Sequence, residues 1–272
     1  MQEGGDVNTN DKQFRALHAG PDMLILPNAW DAGSARVIEC AGAKASATSS
    51  AAVAWAHGYP DGQLLPFEVL LSTLKEIVRI VRIPVSADIE SGYAPSAIDI
   101  DERISRVVAA GVVGVNIEDG SSPPYLLCSK IERAKAAAGR AGVDLWINAR
   151  VDVYIRKLAE GSGAFDETLR RAKLYREAGA DSIFVPALVD DDTLARLVPL
   201  VGLPFNALAW SGLPPADRLR NIGVRRLSAG AGVAKASLNH ALSATKAFLA
   251  DGSAEVFSAP SMPNLNELMH RD

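Results

Sequence analysis

Cysteine is scarce in this chain: Cys40 and Cys128 are the only two among 272 residues. That number excludes a disulfide framework and a cysteine-built zinc site, and it agrees with a reducing compartment. The four histidines, His18, His57, His240 and His270, are scattered and form no His-x-x-x-His metal motif. No apolar run is long enough to cross a bilayer. The opening residues (Gly4, Gly5, Asp6, Asn8, Asn10, Asp11, Lys12) lack the basic-then-apolar order of a secretion signal. Lysine and arginine form no cluster and the formal charge is −4, so the electrostatic footprint of a nucleic-acid binder is missing. These absences predict a cytoplasmic protein with neither nucleic acid nor membrane as partner.

What the chain does have is apolar bulk, 48% of its residues, enough for one large core. Eight short β-rich runs recur: Met23–Leu26, Ala45–Ser49, Val85–Ile89, Gly114–Glu118, Leu145–Ala149, Ser182–Val185, Asn206–Ala209 and Arg226–Ser228. Most are near-continuously apolar, as strands covered on both faces are. Helical periodicity lies between them, as in Phe67–Val81 and Asp166–Ala178. A glycine recurs just before five of the strands, at Gly42, Gly111, Gly142, Gly179 and Gly223, where a left-handed residue ends one helix and releases the chain into the next strand. A doubly wound sheet shares this alternation. Eight units and the lack of a Gly-x-Gly-x-x-Gly turn after the first strand favour a (β/α)8 TIM-type barrel with a C-terminal helical extension. Residues 1–20 are expected to be a flexible segment, 21–252 the barrel, and 253–272 a tail with a short helix at Asn264–His270. That tail would be either frayed or laid on a neighbouring subunit.

Active sites of such barrels sit at the carboxyl ends of the strands. The third strand ends Asp88-Ile89-Glu90-Ser91-Gly92-Tyr93, the fourth Asn116-Ile117-Glu118-Asp119-Gly120, and the fifth Asn148-Ala149-Arg150-Val151-Asp152. Acids crowded on adjacent strand ends repel unless a cation intervenes, and carboxylates with water suit Mg2+, with Mn2+ as a substitute. A metal chelated by a 2-oxo acid polarises its carbonyl and stabilises an enolate. Helix capping, or pairing of the acids with Arg103, Arg106 and Arg150, is the structural explanation competing with a metal site.

These motifs, together with Leu26-Pro27-Asn28-Ala29-Trp30-Asp31, Thr48-Ser49-Ser50-Ala51 and Gly58-Tyr59-Pro60-Asp61-Gly62, resemble the isocitrate lyase/phosphoenolpyruvate mutase superfamily over roughly residues 20–235. The resemblance implies a metal site of Asp88, Glu90 and Glu118, the last two mostly through water. It implies a substrate carboxylate held near Thr48, Ser49 and Ser50, with Arg150 as substrate-binding cation and Asn206 as a further contact. Asp61, Arg150 and Glu118 become the candidate catalytic residues. A homo-oligomer, tetramer or dimer, with its last barrel helices exchanged is also implied, Ala234–Ala250 being long and apolar enough for that.

The loop after the fourth strand departs from the family. Lyases carry a cysteine there, flanked by basic residues and a histidine, and the phosphorus–carbon enzymes use lysine and asparagine. This chain reads Ser121-Ser122-Pro123-Pro124-Tyr125-Leu126-Leu127-Cys128, with no basic residue between Glu118 and Cys128. Cys128 is therefore read as a small apolar filler. A Mg2+-dependent lyase or decarboxylase acting on a 2-oxo (di)carboxylate such as oxaloacetate demands least of that loop. Phosphonopyruvate or phosphoenolpyruvate mutase or hydrolase chemistry is the second reading, and a non-catalytic 2-oxo-acid-binding barrel the third. His57 is a candidate base, Tyr93 or Tyr125 a proton source or gate, and Trp55, Leu126, Pro186 and Trp210 candidate selectivity positions. The Gly230-Ala231-Gly232 turn is explained equally by tight packing and by anion binding.

Overall fold

A computed structural model of the chain describes residues 7–257 and 263–270. Its parallel strands are β1 (Leu24–Leu26), β2 (Asn28–Ala29), β3 (Ser46–Thr48), β4 (Val85–Asp88), β5 (Gly114–Glu118), β6 (Trp146–Arg150), β7 (Ser182–Phe184), β8 (Phe205–Leu208) and β9 (Val224–Ser228). They form one sheet in the order β1-β9-β8-β7-β6-β5-β4-β3-β2. The barrel has eight staves, because β1 and β2 are the two halves of a single first stave broken at Pro27. Proline has no N–H to give to a ladder, so the chain changes partners there. Leu26 O accepts from Ala229 N (3.1 Å) on one side, and Pro27 O accepts from Ala47 N (3.2 Å) on the other.

The helices are α1 (Val7–Ala19), α2 (Ala32–Cys40), α3 (Ser50–Ala56), α4 (Phe67–Ile80), α5 (Ile100–Ala109), α6 (Pro124–Arg140), α7 (Gly161–Glu177), α8 (Asp191–Val201), α9 (Ala216–Ile222), α10 (Gly232–Asp251) and α11 (Leu265–Met269). Leu70, Leu74, Ile104, Val107, Ile131, Ala134 and Leu194 pack the helix ring onto the strands in the main core. The five glycines that precede strands all have positive φ, between 74° and 101°, the conformation the repeat requires. Among the described residues no helix is long and apolar enough to cross a membrane.

The amino-terminal end differs from expectation. Instead of a flexible segment, residues 7–19 form α1, which closes the amino-terminal end of the barrel; residues 1–6 lie outside the described residues. Phe14 is fully buried against Gly114 and Trp146, and His18 stacks on Trp146 at 4.1 Å, so burial of these rings outweighs the polarity of the rest of the helix. In the described part of the tail, α11 lies on α2 of its own chain, where Arg36 Nε donates to Leu268 O (2.8 Å). α10, by contrast, buries only Ala234 and leaves Leu238, Leu242 and Leu249 exposed.

Candidate active site

A cavity of about 230 Å3 opens at the carboxyl ends of the strands. Its floor is polar, with Asp88, Asn116, Ser228 and Asn28; Phe184, Pro186, Leu208 and Trp210 make an apolar wall; Asp61, Arg150 and Lys235 bring charge to it. Asp88 ends β4 and is buried, and each of its oxygens has donors. Ser50 N (3.3 Å) and Ser50 Oγ (3.1 Å) donate to Oδ2, and Glu90 N (3.2 Å) donates to Oδ1. Thr48 Oγ1 accepts from Asp88 N (2.9 Å), fixing the strand end from its neighbour. Burial holds the Asp88 carboxyl above its ordinary range, against the opposing pull of Arg150 and these donors.

Glu90 and Glu118 stand behind the cavity wall. Glu90 has φ +50°, an uncommon left-handed conformation for a non-glycine residue, and Tyr93 donates its hydroxyl to Glu90 Oε1 (2.7 Å). Burial, then its proximity to Asp88 and Asp61, push the Glu90 carboxyl up. Glu118 is pushed up to about 8, burial being the largest cause. Its Oε2 lies 2.5 Å from Arg150 Nη1 in an ion pair that lacks hydrogen-bond alignment, so this buried oxygen has no aligned donor. Arg150 also pairs with Asp152 (2.6 Å), and Arg156 from the following loop reaches both Asp152 (2.9 Å) and Glu118 (3.6 Å). Behind them Asp119 accepts from Tyr175 Oη (2.6 Å), Arg171 Nη1 (2.8 Å) and Asp152 N (2.9 Å), tying the site to α7.

Among the described residues, no three Asp, Glu, His or Cys side chains converge as direct ligands of one ion. The donor set nevertheless fits Mg2+ held in its usual way, by one or two carboxylates with water completing the shell. Asp88 supplies that carboxylate on the cavity floor, and the remaining positions would fall to water and substrate.

The model of the phosphoenolpyruvate phosphomutase family matches residues 14–249. A Mycobacterium tuberculosis protein without an assigned function is 35% identical over 244 residues, covering 88% of this chain and 89% of that one. The 2-methylisocitrate lyase of Aeropyrum pernix is 28% identical over 225 residues, 78% of this chain and 71% of that one. A solved Burkholderia cenocepacia structure, provisionally named a lyase/mutase, superposes with TM-score 0.87 at 32% identity, covering 96% and 95% of the two chains. The chain belongs to the isocitrate lyase/phosphoenolpyruvate mutase superfamily. This is a superfamily of Mg2+-dependent lyases, mutases and hydrolases, and the chain is one of its enzymes.

Of the residues singled out from the superfamily resemblance, Asp61, Asp88, Arg150, Ser49 and Ser50 line the cavity. Thr48 and Asn206 do not: the Thr48 hydroxyl is turned to the Asp88 amide, and Asn206 Nδ2 donates to Ser228 Oγ (3.0 Å) beneath the floor. There Asn148 bridges Asn116 (2.8 Å) and Asn206 (3.1 Å), and fully buried Arg226 gives its one hydrogen bond to Asn116 (3.2 Å). Burial pulls the Arg226 guanidinium down to about 9. Of the candidate selectivity positions, Trp55, Pro186 and Trp210 line the cavity and Leu126 does not.

The other candidates are placed elsewhere. His57 caps α3 and its Nε2 donates to Thr73 Oγ1 (2.9 Å), away from the cavity, which removes it as a base. Tyr125 is exposed on α6 and does not line the cavity, while Tyr93 is held by Glu90. Cys128 packs half-buried against the core with its thiol pushed up by burial, the state of a filler. Gly230 N is engaged by Asn28 Oδ1 (2.8 Å), so the turn after β9 braces the first stave. Sequence reasoning missed Lys235, Arg156, Arg226 and also Lys130, whose ammonium donates to Ser91 O (2.7 Å) and Ala94 O (2.9 Å) and pins the loop after β4.

Proposed function

We propose that this enzyme is a Mg2+-dependent carbon–carbon lyase or decarboxylase acting on a small 2-oxo acid, with oxaloacetate as the first substrate to examine. The observation that carries the reading is a carboxylate, Asp88, and a guanidinium, Arg150, lining one cavity with an apolar wall. Asp88 would hold Mg2+, or Mn2+, with Glu90 and Glu118 acting through water. The bound ion supplies Lewis acidity that polarises a 2-oxo carbonyl and favours the enolate left when the carbon–carbon bond breaks.

The chain's own residues do the rest. Arg150 binds the substrate carboxylate, and Glu118 and Asp152 orient its guanidinium from two sides. Ser50 and Thr48 position Asp88; Ser49 and Ser50 face the substrate; Asn206 braces the floor through Ser228. Asp61, exposed on the loop between α3 and α4, handles a proton at the rim. Phe184, Pro186, Leu208 and Trp210 keep water from one side of the reacting carbon.

The enzyme is read as cytoplasmic, in keeping with two free cysteines, and as a homo-oligomer, tetramer or dimer, that exchanges α10. The exposed leucines of α10 and a largely apolar hollow of about 820 Å3 beside β1 and α2, reached by Val233, support the exchange.

One observation favours a second reading. Arg156 brings its guanidinium beside Gly120, supplying a cation to a loop that has none of its own, which suits phosphonopyruvate or phosphoenolpyruvate chemistry. The deciding experiment is the Mg2+ dependence of pyruvate and carbon dioxide release from oxaloacetate, corrected for the metal's own catalysis. Wild type should exceed the metal blank and Asp88→Ala should fall by at least about 100-fold. Wild type no faster than the blank excludes oxaloacetate decarboxylation, and phosphate release from phosphonopyruvate would then select the second reading.

A further inference from the structure

Lys235 stands one turn into α10, and its side chain lines the same cavity as Asp88, Arg150 and Trp55. Its ammonium, on an exposed side chain, sits 5.7 Å from the centre of the Trp55 ring, within cation–π range. The other two cations near the cavity are already paired. Arg150 is met by Glu118 and Asp152, and nearby Arg156 by the same two acids. Among the described residues, no carboxylate lies within ion-pair distance of Lys235, whose recorded partner is an aromatic face.

Position around the barrel adds the second half of the argument. Arg150 ends β6 and Lys235 follows β9, with β7 and β8 between them. The wall that joins the two is the apolar one, Phe184 and Pro186 at and just after the end of β7, Leu208 and Trp210 at and just after the end of β8. A short ligand held at one end beside Asp88 and Arg150 and lying along this wall meets a second positive charge at its other end. That charge is a single ammonium. The neighbouring backbone donor, Gly230 N, is already taken by Asn28 Oδ1. A single point charge as the one cation at this end, among the described residues, suits a carboxylate; a phosphoryl dianion, with its higher charge and three acceptor oxygens, calls for more.

We propose that Lys235 is the receptor for a distal carboxylate, making this site selective for 2-oxo dicarboxylates over 2-oxo monocarboxylates and phosphonates. The proposal rests on the 2-oxo-acid reading of the Asp88–Arg150 end. The Trp55 face lies beside the ammonium and biases its stem toward the cavity.

Calorimetric titrations of the full chain with saturating Mg2+ test both parts separately, using oxalate, which reaches only the inner end, and 3,3-difluorooxaloacetate, which carries the distal carboxylate. Wild type should bind both. Lys235→Met, which keeps an unbranched stem over Trp55, should lose about 10- to 100-fold in affinity for the difluoro compound and stay within about twofold for oxalate. Lys235→Arg should recover most of the loss. Unchanged affinity of Lys235→Met for the difluoro compound overturns the proposal, and so does an equal loss on both ligands. Failure of wild type to bind oxalate strikes the 2-oxo-acid reading itself, and the proposal with it.

Discussion

Ser50 donates both its backbone N–H (3.3 Å) and its hydroxyl (3.1 Å) to the same oxygen of Asp88. The first helical residue after β3 thereby sets the direction of the carboxylate at the end of β4. Groups that hold a metal-binding carboxylate in this manner typically matter 10- to 100-fold to metal affinity.

Ser50→Ala removes the hydroxyl and leaves the amide. It should weaken Mg2+ binding by about 10-fold with the fold intact. Calorimetric Mg2+ titration against wild type checks this, and an unchanged affinity would show that the amide alone orients Asp88.

Tyr175→Phe should destabilise the protein by about 1.5–3 kcal/mol, the range for a buried hydrogen bond to a charged group. The lost bond is the 2.6 Å one to Asp119, which also braces Asp152 and, through it, Arg150. Urea unfolding measures the loss. A midpoint equal to wild type would mean that Arg171 satisfies Asp119 unaided.

Acid should weaken the lower end of the barrel through His18. Burial, with Arg226 nearby, pulls this imidazole down to about 3, and its Nδ1 donates to Phe14 O (2.8 Å). The unfolded chain, with an ordinary histidine, binds the proton first, so stability from His18 is complete above about pH 6.5 and drains away as pH falls toward about 3. By pH 4.5 the deficit should reach roughly 2–3 kcal/mol. His18→Gln should flatten the slope of unfolding free energy against pH in that window; an identical slope would locate the acid sensitivity elsewhere.

Phe14→Ala should cost about 3–5 kcal/mol, since the ring is fully buried where α1 meets Gly114 and Trp146. Thermal unfolding settles the matter: a change under about 1 kcal/mol would make α1 an accessory to the barrel and not its base.

Strand ends were the legible part of this chain. Asp88, Glu118 and Arg150 follow apolar runs that only a doubly covered strand tolerates, and the structure puts all three within about a residue of a strand terminus. Thr48 and Asn206 show where legibility stops, because composition reveals that a hydroxyl or amide is present but not which neighbour it will face. Lys235 was hidden for another reason: it belongs to a helix, and its place at the cavity depends on the angle at which α10 leaves β9. Arg226 was passed over because the run Val224-Arg225-Arg226-Leu227-Ser228 alternates, with Arg226 turned inward onto an amide cluster that lies far away in sequence. α1 escaped notice since Phe14 and Leu17 are few among polar neighbours, yet two well-placed rings suffice to seat it.

The break at Pro27 bears on how the barrel is made. Leu26 is bonded to Ala229 and Pro27 to Ala47, so one proline marks where the earliest stave is shared between the oldest and the youngest parts of the wall. On a ribosome, β2 can pair with β3 almost as soon as both emerge, whereas β1 must wait for about two hundred further residues before β9 exists to receive it. Until then the nascent sheet exposes two raw edges, and the join at Leu26 and Ala229 is the stitch that removes them both.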